Sequence, residues 1–164
     1  MEKEEMKRIV KAINRELDAL SEKSSEALVH AFYYDDVHAC DDNDDDEDSA
    51  TFVYENFIEN ISKILEKHGK HGFSGWDILD LQGEGDEFNW SYGQTLIYRN
   101  DDNIHIEVIT DVSGSFSSLL HACARIYRVY SYDYDDEDNV HVHFAYKVEG
   151  EELIDCSDEL IEEI

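Results

Sequence analysis

The sequence contains no proline and few basic side chains, and both absences limit what the chain can be. No proline marks a stiff linker, and 164 residues is a common length for one domain, so we expect a single domain over residues 1–164. Lys and Arg number 13 against 41 Asp and Glu, which gives a formal net charge of −28. Such a charge repels nucleic acids and anionic membranes, so we expect the chain to bind neither of them directly.

Cysteines are few, and long apolar runs are missing. Cys40, Cys123 and Cys156 are an odd number without the spacing of a disulfide framework, which fits a reducing compartment. The first residues are charged where a signal peptide would be apolar, and no run approaches the roughly 18 apolar residues of a membrane span. The sequence therefore predicts a soluble cytoplasmic protein.

The usual motifs of nucleotide binding and nucleophilic catalysis are also missing. Gly83 and Gly85 are not followed by the third glycine of a dinucleotide-binding turn, and no phosphate-binding loop or Gly-x-Ser-x-Gly elbow occurs. We therefore expect a protein that is not an enzyme and needs no cofactor.

Apolar residues are plentiful enough for folding, at 41% hydrophobic and 12% aromatic. Their 3–4 spacing predicts amphipathic helices over residues 2–20 and 50–68, and a short acidic helix in the tail from Glu151. The segment 27–34 has no clear period and is interpreted as a strand, with a short helix as the alternative. Residues 41–49 are expected to form a flexible acidic loop.

The second half of the chain has the composition of a sheet, because it is rich in β-branched and aromatic residues that are separated by glycines. Alternation of apolar and polar residues predicts a hairpin of strands 126–134 and 140–148. Asn100 to Asn103 is expected to form a turn between two earlier strands. Residues 115–124 are expected to form a helical turn. The predicted fold is α+β, with a mostly antiparallel sheet of about four to six strands. The predicted strands are 76–81, 94–99, 104–109, 126–134 and 140–148.

The negative charge is confined to part of the chain. Residues 1–23 hold six acids and six bases, and residues 50–72 hold three of each. Residues 24–49 hold ten acids and no base, while residues 73–164 hold 22 acids against four bases. Because like charges repel by about 1 kcal/mol per close pair in water, such grouping opposes folding and favours a binding role over mere solubility.

Metal binding is an alternative use of these side chains. Residues 44–55 have the carboxylate spacing of an EF-hand loop, but they carry Ser49 where the loop needs glycine. Two His-x-Cys pairs and a His-x-His pair add nitrogen and sulfur ligands, which would suit zinc or a metal-dependent enzyme. These candidates are His38, Cys40, His121 and Cys123 in one set and His105, His141 and His143 in the other.

Tyrosines alternate with acids near residues 130–136, which suits contact with a basic groove: tyrosine supplies rigid contact area, and aspartate pairs with arginine.

In composition and layout the acidic regions 24–49 and 73–164 resemble the DNA-mimic inhibitors of phages and mobile elements, the anti-CRISPR and anti-restriction proteins. The resemblance implies a non-enzymatic inhibitor that presents carboxylates to the nucleic-acid channel of a nuclease or defence complex.

The residues expected to bind this basic partner lie in three segments. An immunity protein that neutralises a cationic nuclease toxin is the alternative, since it uses the same electrostatics. The candidates are Asp41, Asp42, Asp44, Asp45, Asp46, Glu47 and Asp48; Tyr132, Asp133, Tyr134, Asp135, Asp136, Glu137 and Asp138; and Asp155, Asp158, Glu159 and Glu162, which are expected to form a carboxylate row on the tail helix.

Overall fold

The computed structural model describes residues 2–30, 49–68, 73–85, 89–115 and 118–164. Within these ranges the six strands form one antiparallel sheet in which sequence neighbours are also spatial neighbours. Helices and sheet together confirm the predicted α+β fold. The elements are α1 (Lys3–His30), α2 (Ser49–Glu66), β1 (Ser74–Gly85), β2 (Asn89–Arg99), β3 (Ile104–Ser115), β4 (Ser118–Tyr134), β5 (Val140–Glu149), β6 (Glu152–Asp155) and α3 (Ser157–Glu163).

Helices α1 and α2 bury their apolar stripes against one face of the sheet. Ile13 and Leu17 of α1 and Ile61 of α2 are fully buried, as the 3–4 spacing predicts. They share one hydrophobic cluster with residues of the central strands, among them Ile106 and Val108. Burial of each such side chain stabilises the fold by about 1.5–3 kcal/mol, so this layer supplies the main core.

Three polar residues on α1 cover an open edge of β4. The hairpin partner β5 pairs with β4 only from Arg128 onward, so the earlier part of β4 has no strand on that side within the described ranges. Helix α1 runs along this edge, and its side-chain oxygens accept the hydrogen bonds that the carbonyl groups of a neighbouring strand would otherwise accept. The helix thereby protects the edge from pairing with another chain. The backbone N–H groups of Ala122, Ala124 and Ile126 donate to Ser25 Oγ at 2.9 Å, Ser21 Oγ at 3.1 Å and Asn14 Oδ1 at 3.0 Å.

Three sequence predictions of secondary structure are wrong. Residues 27–30 continue α1, where a strand was expected, and residues 31–34 lie outside the described part. No glycine or proline stops the helix there, and Ser21 and Ser25 hold it against β4. Residues 118–124 extend β4 where a helical turn was expected, because the small side chains of Ala122 and Ala124 pack in the core beneath the helices.

The third error concerns the tail. Residues 152–155 form β6, and the helix starts only at Ser157. Gly150 adopts a positive φ of 61° in the turn after β5, a conformation that glycine reaches without strain. The chain then reverses, and Leu153 pairs with Val148 and enters the core.

Candidate partner-binding surface

Of the three predicted acidic segments, the structure describes two. Residues 41–48 lie outside the described ranges, together with His38, Cys40 and the first five residues of the EF-hand-like segment, whose remaining residues 49–55 belong to α2. The other two segments are the β4–β5 hairpin tip and the tail, and in both the carboxylates divide into those that hold the fold and those that point into solvent.

Asp135 organises the hairpin tip. Its Oδ1 accepts hydrogen bonds from the backbone N–H groups of Glu137 and Asn139, both at 2.9 Å. Its Oδ2 lies 3.0 Å from Nε2 of His141. The hydrogen bond with His141, followed by that from Asn139, lowers the pKa of Asp135 well below its ordinary 3.8. Asp135 is therefore a turn-forming residue whose oxygens are already used.

Asp133 is engaged in a similar way. Its Oδ2 lies 2.5 Å from Nε2 of His143, and its Oδ1 accepts a hydrogen bond from the amide of Asn103 at 3.1 Å. The hydrogen bond with His143 is the main cause that lowers the pKa of Asp133. Because Asn103 belongs to the turn between β2 and β3, Asp133 ties two neighbouring turns together.

The remaining tip carboxylates have no such role. The side chains of Asp136, Glu137 and Asp138 are exposed, and none makes an ion pair or hydrogen bond within the described part of the chain. Asp138 adopts a positive φ of 62°, which is part of the turn geometry and concerns its backbone only. The hairpin thus presents three uncommitted negative charges at one end of the sheet.

A ladder of stacked rings leads from the middle of the sheet to this tip. The ring of His105 on β3 stacks on that of Tyr130 at a centroid distance of 4.9 Å. Tyr130 stacks on Tyr132 at 6.0 Å, and Tyr132 meets Tyr134 edge-on at 5.7 Å. Burial is the main cause that raises the pKa of Tyr130 well above 10.0. The exposed fraction rises along the ladder until Tyr134 is 55% exposed.

Two irregularities in the strand pairing place these side chains. Between the Glu107–Arg128 and Val108–Ile126 pairs, Tyr127 is an extra residue on β4. Between the Ser131–Phe144 and Tyr132–Val142 pairs, His143 is an extra residue on β5. Such bulges re-aim the side chains beside them. As a result, Arg128 and Val142 lie on the face of the sheet opposite α1 and α2.

Arg128 anchors α3 to that face. Its guanidinium forms a two-pronged contact with Glu107 at 2.7 and 3.1 Å and reaches Glu163 of α3 at 2.7 Å. Burial lowers the pKa of Arg128, but the hydrogen bonds with both carboxylates outweigh it and raise that pKa. Arg128 and Glu107 are 6% and 5% exposed. This buried ion pair is absent from the sequence prediction, although an arginine between apolar and aromatic residues of a strand is a usable signal.

Helix α3 completes a small second core. Its Leu160 packs with Tyr130, Ala145 and Cys156, while Tyr132 and Val142 flank the cluster. Glu159 forms an ion pair with Lys147 of β5. The sheet therefore carries helices on both faces, with α1 and α2 on one and the short α3 on the other.

The predicted carboxylate row on the tail helix is reduced by this arrangement. Asp155 lies at the end of β6, and its Oδ1 accepts a hydrogen bond from the backbone N–H of Ser157 at 2.9 Å, which lowers its pKa. Glu159 is committed to Lys147. Asp158 and Glu162 remain on the exposed side of α3, and neither pairs with a cation among the described residues.

Other acids of the tail form ion pairs with lysines of α1, although the tail itself contains no basic residue. Glu152 pairs with Lys7 of α1 at 3.3 Å, and Glu151 pairs with Lys11 at 3.5 Å. Glu149 is exposed and has no such partner in the described ranges. The uncommitted acids of the tail are thus Glu149, Asp158 and Glu162.

The candidate metal ligands do not converge within the described residues, where no group of three or more His, Cys, Asp or Glu side chains has a metal-binding arrangement. His105 is buried beside Tyr130, whereas His141 and His143 each pair with a separate aspartate at the tip. His121 and Cys123 lie on β4, on the opposite side from Ala122 and Ala124. Their proposed partners fall outside the described ranges.

Comparisons with known proteins add no relative. The chain matches no protein-family model, no curated protein and no solved structure at a significant level. No helix in the described part of the chain is long and apolar enough to cross a membrane.

Proposed function

We propose that the protein is a non-enzymatic inhibitor that presents an acidic, nucleic-acid-like surface to the basic channel of a nuclease or defence complex. The surface consists of the uncommitted carboxylates, which lie in two groups. The tip group is Asp136, Glu137 and Asp138, and the tail group is Glu149, Asp158 and Glu162.

One observation carries the proposal: within the described part of the hairpin and tail, six carboxylates have no ion-pair partner, while the four cations that form ion pairs there are bound to other acids. Arg128 and Lys147 are bound to Glu163 and Glu159, and Lys7 and Lys11 are bound to Glu152 and Glu151. A protein that only needed a hydrophilic surface would gain stability from bases near the remaining acids. An external basic surface can supply those missing partners.

The positions of these acids suit recognition of a cationic row. Asp158 and Glu162 are four residues apart on a helix, which spaces them by about 6 Å along its axis. The tip acids are held by a turn that Asp135 and Asp133 stabilise, so little freedom is lost when a partner binds. Opposite charges accelerate association and make the affinity depend strongly on salt.

The proposal is tested by inhibition of purified nucleic-acid enzymes with basic channels, including a restriction endonuclease, a CRISPR effector and a cationic nuclease toxin. We expect stoichiometric inhibition of at least one enzyme at low ionic strength, weakened by added salt. Inhibition of the toxin alone would favour the immunity function. No inhibition of any of these enzymes would contradict the proposal.

Three variants, each lacking three negative charges, locate the surface. The tip variant carries D136N, E137Q and D138N, and the tail variant carries E149Q, D158N and E162Q. The control variant carries E4Q, E5Q and E22Q on the exposed side of α1. We expect the tip or the tail variant to weaken inhibition by about tenfold, or about 1.4 kcal/mol, and the control to weaken it much less. Equal losses in all three variants would show that only total charge matters.

A further inference from the structure

The face of the hairpin that carries the tyrosine ladder is only half covered by α3. Along this face the pairs run from Arg128–Lys147 at the base through Tyr130–Ala145 to Tyr132–Val142 near the tip. Glu163 and Glu159 fix α3 to the Arg128–Lys147 pair. Leu160 packs on Tyr130 and Ala145. The helix therefore covers the base half, and the half with Tyr132, Val142 and Tyr134 lies beyond it.

The flank of α3 that faces this open half is apolar. Successive residues of a helix are about 100° apart, so Glu159 and Glu163 share the flank directed at the hairpin base. Ile161 lies about 160° away from Glu159 and therefore points toward the tip. Ile161 and Ile164 are 47% and 44% exposed.

These residues define the tip–helix surface: Tyr132, Tyr134 and Val142 of the hairpin with Ile161 and Ile164 of α3. Four large apolar side chains are exposed in the described part of the chain, and Tyr134, Ile161 and Ile164 are three of them. The fourth, Ile154, lies on β6 beside Lys147, toward the hairpin base. Exposed apolar side chains are thus concentrated on one surface, which is typical of an interaction site.

Uncommitted carboxylates flank this surface on two sides. Asp136, Glu137 and Asp138 lie at the hairpin tip, and Asp158 and Glu162 lie on the outer side of α3. An occupant must therefore combine positive charge with a body that packs on aromatic and aliphatic groups. Arginine has both properties, since its guanidinium stacks flat on a tyrosine ring and pairs with carboxylates through two hydrogen bonds.

We propose that the tip–helix surface binds an arginine-rich segment of the basic partner and prefers arginine to lysine. This inference rests on the proposed function and names the chemistry that its partner presents. The guanidinium groups stack on Tyr134 and bond to the tip and α3 carboxylates, while their methylene stems pack on Ile161. A lysine-rich segment of equal charge gains the long-range attraction but not the stacked, two-pronged contact.

The test is titration of the full chain with an oligoarginine and an oligolysine peptide of equal length and charge. We expect oligoarginine to bind about two- to fivefold more tightly, with the preference persisting as salt rises. Tyr134→Leu is expected to abolish the preference, and Tyr134→Phe to keep it. Ile161→Ala should weaken oligoarginine binding, whereas Ile154→Ala, at an equally exposed isoleucine outside the surface, should not.

The outcomes separate this inference from the function on which it rests. The proposed arginine binding at the tip–helix surface is contradicted if the two peptides bind with equal affinity, or if the arginine preference survives in Tyr134→Leu. The acidic surface would then recognise positive charge alone. Failure of both peptides to bind contradicts the acidic binding function itself. Thermal melting of each variant confirms that it is folded.

Discussion

Arg128 shows how one side chain determines where the tail lies. It is bound by Glu107 on the neighbouring strand and by Glu163 on α3, so a single buried cation joins β3, β4 and the C-terminal helix. A buried ion pair contributes little net stability when complete, but removal of one partner leaves a buried charge without compensation.

We therefore expect Arg128→Met to lower the free energy of unfolding by about 3–5 kcal/mol, because Glu107 is left buried without its cation. Replacement of both residues, E107M with R128M, should recover most of that loss. Glu163→Gln should have a small effect, since its side chain is 58% exposed. Urea unfolding measures all three variants, and a double variant no more stable than Arg128→Met would show that the charge is not the cause.

Single residues also explain why only part of the candidate site could be predicted. The acidic segments and the tyrosines among them are visible in the sequence. The sequence does not show which of these acids form ion pairs, because their partners are distant along the chain. Lys7, for example, pairs with Glu152, which is 145 positions away. Asp133 and Asp135 look like neighbouring surface acids, yet each is engaged by a histidine from the opposite strand.

At the scale of elements, α1 does the work of an edge strand for the open part of β4. Asn14, Ser21 and Ser25 recur at intervals of seven and four residues, which places them on one stripe of the helix beside the apolar face. Only the apolar positions of α1 enter the sequence prediction. A polar stripe next to an apolar one is the signal that indicates a helix covering a sheet edge.

We expect Ser21→Ala to lower the free energy of unfolding by about 1–3 kcal/mol, because the backbone N–H of Ala124 loses its acceptor in a buried position. Hydrogen exchange at the Ala124 amide should accelerate in the same variant. Ser24→Ala is the matched control, since Ser24 is an equally buried serine on α1 and, among the described residues, the β4 amides of Ala122 and Ala124 bond to Ser25 and Ser21 instead. If both variants lose the same stability, the edge-covering role is wrong.

The regular elements were predictable because each has one dominant period. The stripes of α1 and α2 and the alternation of the β4–β5 hairpin are local patterns, and the structure confirms them. Residues 27–30 and 118–124 have no such period, so their neighbours decide their conformation. The strand at 118–124 exists because β3 pairs with it, and the tail strand β6 exists because Gly150 turns the chain back onto β5.

At the scale of the whole molecule, the net charge of −28 acts against folding. Close like charges repel, and the ion pairs between α1 and the tail relieve only part of this repulsion because they are exposed and individually weak. Repulsion between acidic side chains therefore destabilises the compact state. Within the described residues this repulsion is strongest in the hairpin and the tail.

We expect moderate salt to raise the melting temperature, because added ions shorten the screening length to about 10 Å at 0.1 M and weaken repulsion between surface acids. Calorimetry over a series of sodium chloride concentrations measures the effect. The tip variant, which lacks three negative charges, should show a smaller dependence on salt than the wild type. A melting temperature that is flat or falls with salt would indicate that internal ion pairs already offset the charge.

The central claim is that the protein occupies the place of nucleic acid on a basic enzyme, and competition for one such enzyme tests it most directly. The affinity of the protein for an enzyme that it inhibits is measured at increasing concentrations of a DNA substrate that the enzyme cannot cleave. We expect the apparent dissociation constant to rise linearly with DNA concentration, as for two ligands that exclude each other. A ternary complex of enzyme, DNA and protein with an unchanged dissociation constant would contradict it.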